Sequence, residues 1–474
     1  MGRRLTNTIY RGEYMNYQEF LKIKGSRQGN VGFDVEYFNP MLFDWQKTLV
    51  KWSLKKGRAA LFEDCGLGKT PQQLEWARHV CQKTGKPILI LAPLAVSKQT
   101  KREGEKFGID VNICRTHDDI KNGINITNYE KLNHFYPEEF AGIVLDESSI
   151  LKNYTGKIRT QIIDTFLKTP YKLCATATPA PNDFTELGNT SEFLGVMTRA
   201  EMLSMYFIND TGDVGTWRLK GHVKDNLFWK WLSSWAIMIQ YPSNLGFDDN
   251  GFKLPPLKIH EHIIPYKGQT DTLFVEPAST LSERRQARRE SMQERVALTA
   301  DLINNSSETW LVWCNMNDES AALKSAIKDA VEVKGADSIE HKETAMIDFQ
   351  NDQIKCLVTK PSIAGFGMNW QNCSNMAFVG LSDSYEQYYQ AIRRCWRFGQ
   401  EKPVHAHIVI GEREGNVVAN IQRKERDMNS MFQGMIRNMS EMVQEEIFGR
   451  ESTRTDYHPT MEMKLPDFLQ EVTA

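Results

Sequence analysis

Residues 63–70 read Glu63-Asp64-Cys65-Gly66-Leu67-Gly68-Lys69-Thr70, and the apolar run Ala59-Ala60-Leu61-Phe62 stands directly before them. A strand that enters a glycine-rich turn and then a helix directs backbone N–H groups and the positive end of the helix at one anion. In such a loop the lysine reaches the outer phosphates of a nucleoside triphosphate, and the threonine hydroxyl binds Mg²⁺. A purely structural glycine turn is the alternative, since Glu63 stands where the loop usually has its first glycine.

An acidic pair downstream supports the triphosphate interpretation. The apolar run Gly142-Ile143-Val144-Leu145 ends directly in Asp146-Glu147. At the carboxyl edge of a parallel strand, the first carboxylate can hold Mg²⁺ together with Thr70, and the second can orient or deprotonate an attacking water. The loop and the acidic pair, in this order, predict that the chain binds a nucleoside triphosphate with its magnesium ion.

Length and composition indicate a globular protein of two or three domains. The chain has 474 residues, of which 41% are hydrophobic and 25% charged, and its formal net charge is −2. The eight cysteines include no Cys-x-x-Cys pair, which argues against a disulfide framework or a zinc site. We find no secretory signal and no stretch suited to crossing a bilayer, so we expect a cytoplasmic protein without a membrane partner. Binding to nucleic acid would need local basic surfaces, because the net charge neither supports nor excludes it.

Apolar runs of strand length alternate with helical patterns in two separate parts of the chain. This alternation is typical of parallel sheets covered by helices, so we expect an α/β protein with two tandem parallel-sheet domains and a helical insertion between them. The expected segments are an N-terminal extension (1–40), a first domain (41–195), a helical insertion and linker (196–255), a second domain (256–412) and a helical tail (413–474).

Two groups of aromatic rings each have a structural and a functional interpretation. The insertion carries aromatic residues at helical spacing, as in residues 227–232, which we interpret as the core of the insertion; a base-stacking platform is the alternative. The pairs His260/His262 and His405/His407 have the period of a strand. Without further ligands they indicate residues on a sheet surface rather than a metal site.

Two arginines in the second domain indicate how a triphosphate site could be completed. Arg394 and Arg397 stand three residues apart in a stretch that we predict to be helical, so both would face one side. Guanidinium groups on the transferred phosphate accelerate phosphoryl transfer. Because the phosphate loop and these arginines lie on different domains, the site would be complete only when the domains close, and hydrolysis would be coupled to domain movement.

Further short motifs accompany the phosphate loop in a fixed order. They are Gln46 after an aromatic residue, Leu91-Ala92-Pro93-Leu94, Thr127-Asn128-Tyr129-Glu130, the stretch from Asp146 to Asn153, Thr176-Ala177-Thr178-Pro179, Gly365-Phe366-Gly367-Met368-Asn369, and the stretch from Gln390 to Gln400. In this order, over residues 41–410, they resemble the superfamily-two helicases and translocases, most closely the Swi/Snf-type branch. The missing first glycine at Glu63 is similar to that branch's own pattern.

The resemblance implies two RecA-like lobes that bind ATP and Mg²⁺ between them and move along DNA. It implies catalytic roles for Lys69, Asp146, Glu147, Arg394 and Arg397, with Thr70 and Asp146 at the metal. It implies nucleotide contacts for Gln46, Gly66, Gly68, Lys69, Thr70, Gly365 and Gly367. It implies contacts with nucleic acid, or roles in coupling, for Pro93, Lys98, Thr127, Thr176, Thr178, Asn369 and Gln390.

The chain departs from the branch's pattern at two places. Ser149 replaces the histidine of the Asp-Glu-x-His motif, and we expect it to hydrogen-bond to Thr176 or Thr178 with altered coupling. The glycine-rich motif at residues 364–370 is one residue short, which puts its backbone contact in doubt. The chain also resembles compact bacteriophage members, so the expected location is the cytoplasm of a bacterial cell or an infected host.

The expected function is an ATP-dependent DNA translocase or helicase. The motif sequence favours double-stranded DNA as its partner, and motors of this layout complete their site within one chain, so we expect a monomer. Protein partners could bind through the insertion or the tail. Two alternatives stay open: an RNA-dependent ATPase of the same superfamily, and a non-catalytic, ATP-sensing scaffold, against which the intact catalytic set argues.

A basic stripe in the second domain also has two interpretations. Arg284-Arg285, Arg288-Arg289 and Arg295 recur at helical spacing among glutamates. The stripe is either a solvated helix face or a surface that grips nucleic acid.

Overall fold

The computed structural model describes residues 31–93, 96–209, 217–221, 227–267, 278, 280–364 and 368–448. Within them the chain forms two parallel β-sheets, each with helices packed on it, which confirms the predicted α/β class with two tandem parallel-sheet domains. We call each sheet with its helices a lobe. None of the helices in this described part has both the length and the apolar composition that crossing a bilayer demands.

The first lobe is built on a seven-stranded sheet in the order β3-β4-β2-β5-β6-β1-β9, in which all neighbours are parallel. Its strands are β1 (Arg58–Glu63), β2 (Ile88–Ala92), β3 (Val111–Ile113), β4 (Ile124–Asn128), β5 (Gly142–Asp146), β6 (Tyr171–Thr176) and β9 (Ala236–Ile239). Helices on both faces bury the central strands, which is why these strands read as continuous apolar runs.

The helices of the first lobe connect these strands. They are α1 (Asp44–Lys56), α2 (Lys69–Thr84), α3 (Ser97–Lys106), α4 (Lys157–Thr165) and α5 (Leu187–Leu194). Helix α2 begins at the end of the glycine-rich loop that follows β1, as the sequence predicts.

The stretch predicted as a helical insertion contains helices and strands. It has the expected helices α6 (Arg199–Tyr206) and α7 (Leu227–Ser233), and also an antiparallel pair, β7 (Phe207–Asn209) with β8 (Trp217–Leu219). Strand β9 belongs to this stretch of sequence, but it pairs with β1 at the edge of the first sheet. Periodicity cannot separate such a short apolar run from a buried helix, so the sequence missed it. Phe228 and Trp229 are buried, as the core interpretation of the aromatic stripe predicts.

The second lobe is built on a six-stranded sheet in the order β10-β15-β14-β11-β13-β12, again with parallel neighbours. Its strands are β10 (Leu257–Ile264), β11 (Trp310–Cys314), β12 (Ala330–Glu332), β13 (Cys356–Thr359), β14 (Asn375–Val379) and β15 (Val404–Gly411). Its helices are α8 (Leu281–Glu290), α9 (Met292–Asn304), α10 (Asn317–Ala326), α11 (Ile339–Gln350), α12 (Pro361–Ala364) and α13 (Tyr385–Ile392).

The histidine pairs lie on the neighbouring strands β10 and β15. His260 Nε2 is 2.9 Å from His405 Nδ1, and His262 Nε2 is 3.0 Å from His407 Nδ1. The described His, Cys, Asp and Glu side chains form no group of three that could hold a metal ion. The four rings are partly exposed and contact one another across the two strands, which agrees with the prediction of residues on a sheet surface.

A long C-terminal helix joins the two lobes. Helix α14 (Gly415–Phe448) has 34 residues and is therefore about 50 Å long. It starts just after β15 of the second lobe and packs against α7 and β9 of the first. Ser233 Oγ lies 3.7 Å from Met435 Sδ, and the Met238 N–H lies 3.4 Å from Met439 Sδ. Within the predicted tail (413–474), residues 415–448 are helical and residues 449–474 lie outside the described residues. The helix continues the chain of the second lobe and packs on the first.

One buried lysine predicts a measurable pH dependence of stability. Lys172 on β6 is 1% exposed, and burial and then Arg58 lower its pKa to about 7. Between pH 7 and the ordinary lysine pKa, the unfolded chain binds a proton that the folded chain does not, so stability rises with pH across this window. We expect Lys172→Met to raise the melting temperature at pH 7 by a few degrees and to remove part of the rise toward pH 10, as measured by calorimetry.

The exposed Lys168 provides the control for this prediction. Lys168→Met removes the same charge from a solvated site and should leave the melting temperature within a degree or so. An unchanged or lower melting temperature for Lys172→Met would mean that the hydrogen bond from Lys172 Nζ to the Phe193 carbonyl, at 2.7 Å, outweighs the cost of burying the amine.

Candidate functional site

The phosphate loop adopts the turn that its glycines permit. Gly66 and Gly68 have φ angles of 92° and 75°, in the left-handed region that side chains disfavour. A Cβ atom on Gly68 would stand 2.5 Å from Gln46 Nε2, so a side chain there would displace the Gln46 amide. The loop places Lys69 and Thr70 in the first turn of α2, where the backbone N–H groups have no partner within the helix. Lys69 Nζ donates to the carbonyls of Glu63 and Asp64, at 2.9 and 3.2 Å, and so lies across the loop.

Two residues behind the loop hold it in place. The Gln46 side chain donates to the Leu67 carbonyl at 2.9 Å and accepts from the Phe43 N–H at 3.0 Å. Glu63 is fully buried, and Gln72 Nε2 donates to its Oε2 at 2.7 Å. Burial raises the pKa of Glu63 to about 7, against the opposing effects of Lys69 and Gln72. Sequence reasoning treated Glu63 only as a missing glycine, and its spacing from Gln72 gave no signal of the bond.

The acidic pair lies at the carboxyl end of β5. Asp146 Oδ1 accepts a hydrogen bond from Gln73 at 2.7 Å, and the Asp146 carbonyl accepts one from Tyr129 Oη at 2.7 Å. Burial raises the pKa of Asp146, although Gln73 and the charge of Lys69 oppose the shift. The carboxylate is thus held in one orientation, facing the phosphate loop.

Glu147 combines an unusual backbone with an unusual acidity. Its φ angle is 56°, a left-handed conformation that is uncommon outside glycine and that clusters at functional sites. Burial raises the pKa of Glu147 to about 7; Asp146 and Glu386 add to the shift, while Lys69 and Arg394 oppose it. An acid poised near neutrality is suited to accept a proton at physiological pH.

The threonine motif at the end of β6, predicted to act in coupling, contacts Glu147 directly. Thr176 Oγ1 donates to Glu147 Oε2 at 3.1 Å, and the Thr178 N–H donates to Thr176 Oγ1 at 3.1 Å. We expected Ser149 to make the bond to these threonines. The expectation was wrong in this respect, because the left-handed turn at Glu147 brings its own carboxylate to Thr176 instead.

The two arginines converge, although they do not lie on a helix. Helix α13 ends at Ile392, so the prediction that Arg394 and Arg397 share a helix face was wrong. A run of turns brings both side chains to one carbonyl: Arg394 Nη1 and Arg397 Nη1 lie 3.0 and 3.3 Å from the Met368 oxygen. Arg394 Nη2 also donates to Gln390 Oε1 at 2.9 Å. Burial lowers the pKa of both arginines, that of Arg397 to about 10, with mutual repulsion adding to the effect there.

The two half-sites face each other across the lobes. Glu147 of the first lobe and Arg394 of the second are close enough to shift each other's pKa. A Cβ atom on Gly66 would stand 2.9 Å from the backbone nitrogen of Phe398, so the second lobe touches the phosphate loop. Lys69, Asp146, Glu147 and Arg394 therefore surround one region. Such a region, rich in cations and carboxylates, is suited to a metal-bound polyphosphate.

The remaining predicted residues are distributed around this region. Pro93 directly follows β2, and the buried Thr127 is the last residue but one of β4, so both lie at the carboxyl edge of the first sheet. Lys98 is largely exposed in the first turn of α3 and pairs with Glu343 of the second lobe at 2.5 Å. Asn369 has a buried side-chain oxygen without a hydrogen-bond partner in the described residues. Gly365 and Gly367 lie outside the described residues.

A cavity in the second lobe was not predicted. It measures about 590 Å³, lies at the carboxyl ends of β12 and β13, and is lined by Lys334, Lys360 and Ser362 among others. Lys360 Nζ lies 2.5 Å from Asn317 Oδ1, at the beginning of α10. Polar residues at the carboxyl ends of parallel strands are the sequence signal that could have found this site.

The basic stripe is mostly committed to ion pairs within the second lobe. Arg284 pairs with Asp383 at 2.7 Å, Arg288 with Glu414 at 3.2 Å, and the buried Arg295 with Glu319 at 2.5 Å. These three ion pairs connect α8 and α9 to α10 and to the segments that follow β14 and β15. Arg295 is buried, so the interpretation as a solvated face was wrong for this residue, while the nucleic-acid surface stays a prediction for the exposed Arg285 and Arg289.

Comparisons with known proteins identify two domains. Residues 45–201 match the SNF2-related domain, and residues 294–399 match the helicase conserved C-terminal domain; together the matches cover more than half of the chain. The second match contains the converging arginines, and the first contains the phosphate loop and the acidic pair.

Two curated proteins and a solved structure also align with most of this chain. The chain is 23% identical over 482 residues to the putative ATP-dependent helicase/translocase YwqA of Bacillus subtilis, covering 88% of this chain and 52% of that protein. It is 21% identical over 447 residues to the chromatin remodeling factor mit1 of Schizosaccharomyces pombe, covering 77% of this chain and 31% of that protein. The chain thus spans about half the length, or less, of these relatives. A Sulfolobus solfataricus SWI2/SNF2 ATPase core in complex with dsDNA aligns at 18% identity and a TM-score of 0.41, covering 88% of this chain and 98% of that one.

Both matched domains appear in the order in which their motifs occur in the sequence, and each corresponds to one parallel-sheet lobe with half of the site. The chain therefore belongs to the Swi/Snf-type branch of the superfamily-two helicases, a class of ATP-hydrolysing enzymes.

Proposed function

We propose that the chain is an ATP-dependent translocase on double-stranded DNA, which couples ATP hydrolysis between its two lobes to movement along the duplex. The observation that carries this proposal is the split site. Lys69, Asp146 and Glu147 of the first lobe face Arg394 of the second, and Arg397 shares a carbonyl partner with Arg394.

The residues of the site suit magnesium-bound ATP. The oxygen donors at the loop are the Thr70 hydroxyl and the Asp146 carboxylate, a hard set of the kind Mg²⁺ takes alongside phosphate oxygens and water. Lys69 would neutralise charge on the outer phosphates once they displace its loop carbonyls. The metal would supply charge neutralisation at the phosphates, and the chain's residues would do the remaining work.

Glu147 would act as the general base. The Glu147 carboxylate accepts a hydrogen bond from the Thr176 hydroxyl at 3.1 Å, which orients the carboxylate at the end of β5. With a pKa of about 7, it can take the proton of the attacking water near neutral pH. Arg394 and Arg397 would stabilise the charge that develops on the transferred phosphate. Burial lowers the pKa of both arginines, and Arg394 adds to the shift at Arg397, so a bound anion would stabilise the charged form of each guanidinium.

The carboxyl edges of the two sheets are the proposed DNA interface. In the first lobe this edge carries Pro93 and Thr127, with Lys98 beside them, and in the second lobe it carries the cavity with Lys334 and Lys360. Of the curated relatives named above, one is titled a putative ATP-dependent helicase/translocase and the other a chromatin remodeling factor. Opening and closing the lobes over ATP would change the separation of the two edges and so advance the chain along the duplex.

Several features remain part of the proposal. They are the domain boundaries at 40, 195, 255 and 412, a monomeric motor, and a bacterial or infected-cell cytoplasm. They also include the resemblance to bacteriophage members and protein partners at the tail or insertion. An RNA-dependent ATPase and an ATP-sensing scaffold are the competing functions.

A steady-state ATPase assay with four conditions tests the proposal. Turnover should be low without nucleic acid, should rise at least about tenfold with duplex DNA, and should rise less with single-stranded DNA or RNA. Stimulation by RNA alone would replace the proposal with the RNA-dependent alternative, and turnover that is absent in all four conditions would favour the scaffold.

The cavity lysine offers a second arm of the same experiment. Lys360→Ala should raise the duplex concentration needed for half-maximal stimulation by about tenfold and reduce the slope of log affinity against log salt by about one. Lys328 is exposed on the same lobe but outside the cavity, so Lys328→Ala is the matched control. Equal effects of the two variants would exclude the cavity as a specific DNA contact.

A further inference from the structure

One face of helix α13 meets the first lobe. Glu386, Tyr389 and Arg393 lie three and four residues apart, a spacing that aligns side chains along one side of a helix. The arginines that complete the ATP site follow this helix within five residues of its end. Whatever fixes α13 against the first lobe therefore also fixes the arginines.

At the C-terminal end of this face, Arg393 is ion-paired with Asp64, the residue that precedes Cys65 in the phosphate loop. The Asp64 carboxylate also accepts a hydrogen bond from Tyr389 Oη. The Arg393 side chain is 2% exposed and that of Asp64 is 15% exposed. Arg393 Nη2 further donates to the Cys65 carbonyl at 3.3 Å, and the guanidinium lies 4.7 Å from the centre of the Trp396 ring. The pair is thus shielded from water and held from several sides.

At the N-terminal end of the face, Glu386 is ion-paired with Lys152, which follows the acidic pair of the first lobe. Glu386 is nearly buried and Lys152 is one-third exposed. The polarity is the reverse of the first pair: here the first lobe supplies the cation and the helix supplies the anion. Glu386 lies in the first turn of α13 and Arg393 directly follows its last residue, so the two contacts stand seven residues apart, about 10 Å along the helix axis.

Opposite polarity at the two ends selects a single position of the helix. A slide of one or two turns would leave charges without partners in a partly dry interface, which is strongly unfavourable. Gln390 connects the position of the helix to that of Arg394. Its Oε1 accepts a hydrogen bond from Arg394 Nη2 at 2.9 Å, and Cys65 Sγ of the phosphate loop lies 3.8 Å from the same oxygen.

We propose that the pairs Asp64–Arg393 and Lys152–Glu386 are a positioning device that sets the register of Arg394 and Arg397 over the phosphate loop. Arg393 and Glu386 act through the neighbouring arginines and not on the nucleotide. The inference rests on the proposed ATP hydrolysis for its catalytic consequence, but the interlobe contact itself can be tested without turnover.

A charge swap at the more exposed pair gives the first test. Lys152→Glu and Glu386→Lys should each lower kcat of DNA-stimulated ATP hydrolysis by about 10²-fold, since a misplacement of about 1 Å has an effect of this order. KM for ATP should stay within about twofold, because neither side chain is assigned to the nucleotide. The double variant restores an ion pair of reversed polarity and should recover activity to within several-fold of wild type.

The second test measures lobe association in the absence of nucleotide. Fluorophores on non-natural amino acids at the exposed positions 138 and 353, one on each lobe, avoid the eight cysteines. Lys152→Glu, Glu386→Lys and Arg393→Ala should each lower the mean energy-transfer efficiency, and the Lys152→Glu/Glu386→Lys double variant should restore it.

An ion pair within the second lobe provides the control. Arg413 and Glu290 lie 3.2 Å apart with similar partial exposure, and both belong to the same lobe. Arg413→Glu, Glu290→Arg and their double variant should leave both kcat and energy transfer unchanged.

The outcomes separate this inference from the proposed function. Energy transfer that does not change in the single variants overturns the positioning device, and so does a double variant that recovers neither energy transfer nor kcat. If the wild type fails to hydrolyse ATP with DNA, the proposed function fails, while loss and recovery of energy transfer would still support the interlobe register.

Discussion

Glu147→Gln should lower DNA-stimulated ATP turnover by about 10²–10⁴-fold, the range expected for loss of a general base. The amide is nearly the same shape as the carboxylate but cannot accept the proton of the attacking water. In the wild type, the base works as the carboxylate, and its pKa is raised to about 7 by burial. The turnover rate should therefore fall as the pH drops below 7, and this acid limb should be absent from the residual activity of the variant.

Two controls accompany this experiment: the affinity for nucleotide, and the substitution of a second buried glutamate. Affinity for a fluorescent ATP analogue should stay within about threefold in Glu147→Gln, so that the loss lies in kcat. Glu186 is also buried in the first lobe, and burial raises its pKa to about 7 as well. Glu186→Gln should retain most of the turnover. Near-normal turnover in Glu147→Gln would show that another group deprotonates the water.

Arg394→Ala and Arg397→Ala should each lower stimulated turnover by about 10³-fold or more, in the range reported for arginine fingers. Both guanidinium groups converge on the Met368 carbonyl from the second lobe, opposite Glu147. Lysine should not rescue either position, because a single ammonium lacks the planar fork that binds two phosphate oxygens.

These two arginines should differ from an ordinary surface arginine in the same protein. Arg423 pairs with Asp427 on the exposed side of α14, at 2.8 Å, and Arg423→Ala should leave turnover unchanged. Duplex binding in the absence of ATP should also be unchanged in the finger variants. A loss confined to DNA affinity, with kcat intact at saturating duplex, would contradict the assignment of the arginines to the phosphate.

The split site explains why closing the lobes and hydrolysing ATP would be one event. The first lobe alone holds the loop and the acidic pair, while Arg394 and Arg397, the proposed cations for the transition state, lie on the second. Helix α14 connects the lobes on another side, and the ion pairs of α13 connect them at the site. A variant that disturbs either connection would change the geometry of the site without touching a residue that contacts the nucleotide.

Local patterns predicted much of this architecture. The strands β1, β2, β5 and β6 read as apolar runs because helices bury them on both faces, and the phosphate loop reads as a motif because its turn needs glycine. Strand β9 was not predicted, because it is too short to show such a pattern. A four-residue apolar run has no period of its own, and only its pairing with β1 makes it a strand.

The sequence by itself determined the two parallel-sheet lobes, the order of the motifs and the identity of the residues at the triphosphate loop. These depend on neighbours within a few positions along the chain, where periodicity and turn chemistry act. Only the tertiary structure decided that Arg394 and Arg397 converge through turns rather than along a helix, and that Thr176 donates a hydrogen bond to Glu147. It also decided that Arg284, Arg288 and Arg295 of the basic stripe form ion pairs within the second lobe. It also decided the pairing of Asp64 with Arg393, whose positions are more than three hundred residues apart. Contacts of this kind follow from how the two sheets pack, and no local pattern encodes their partners.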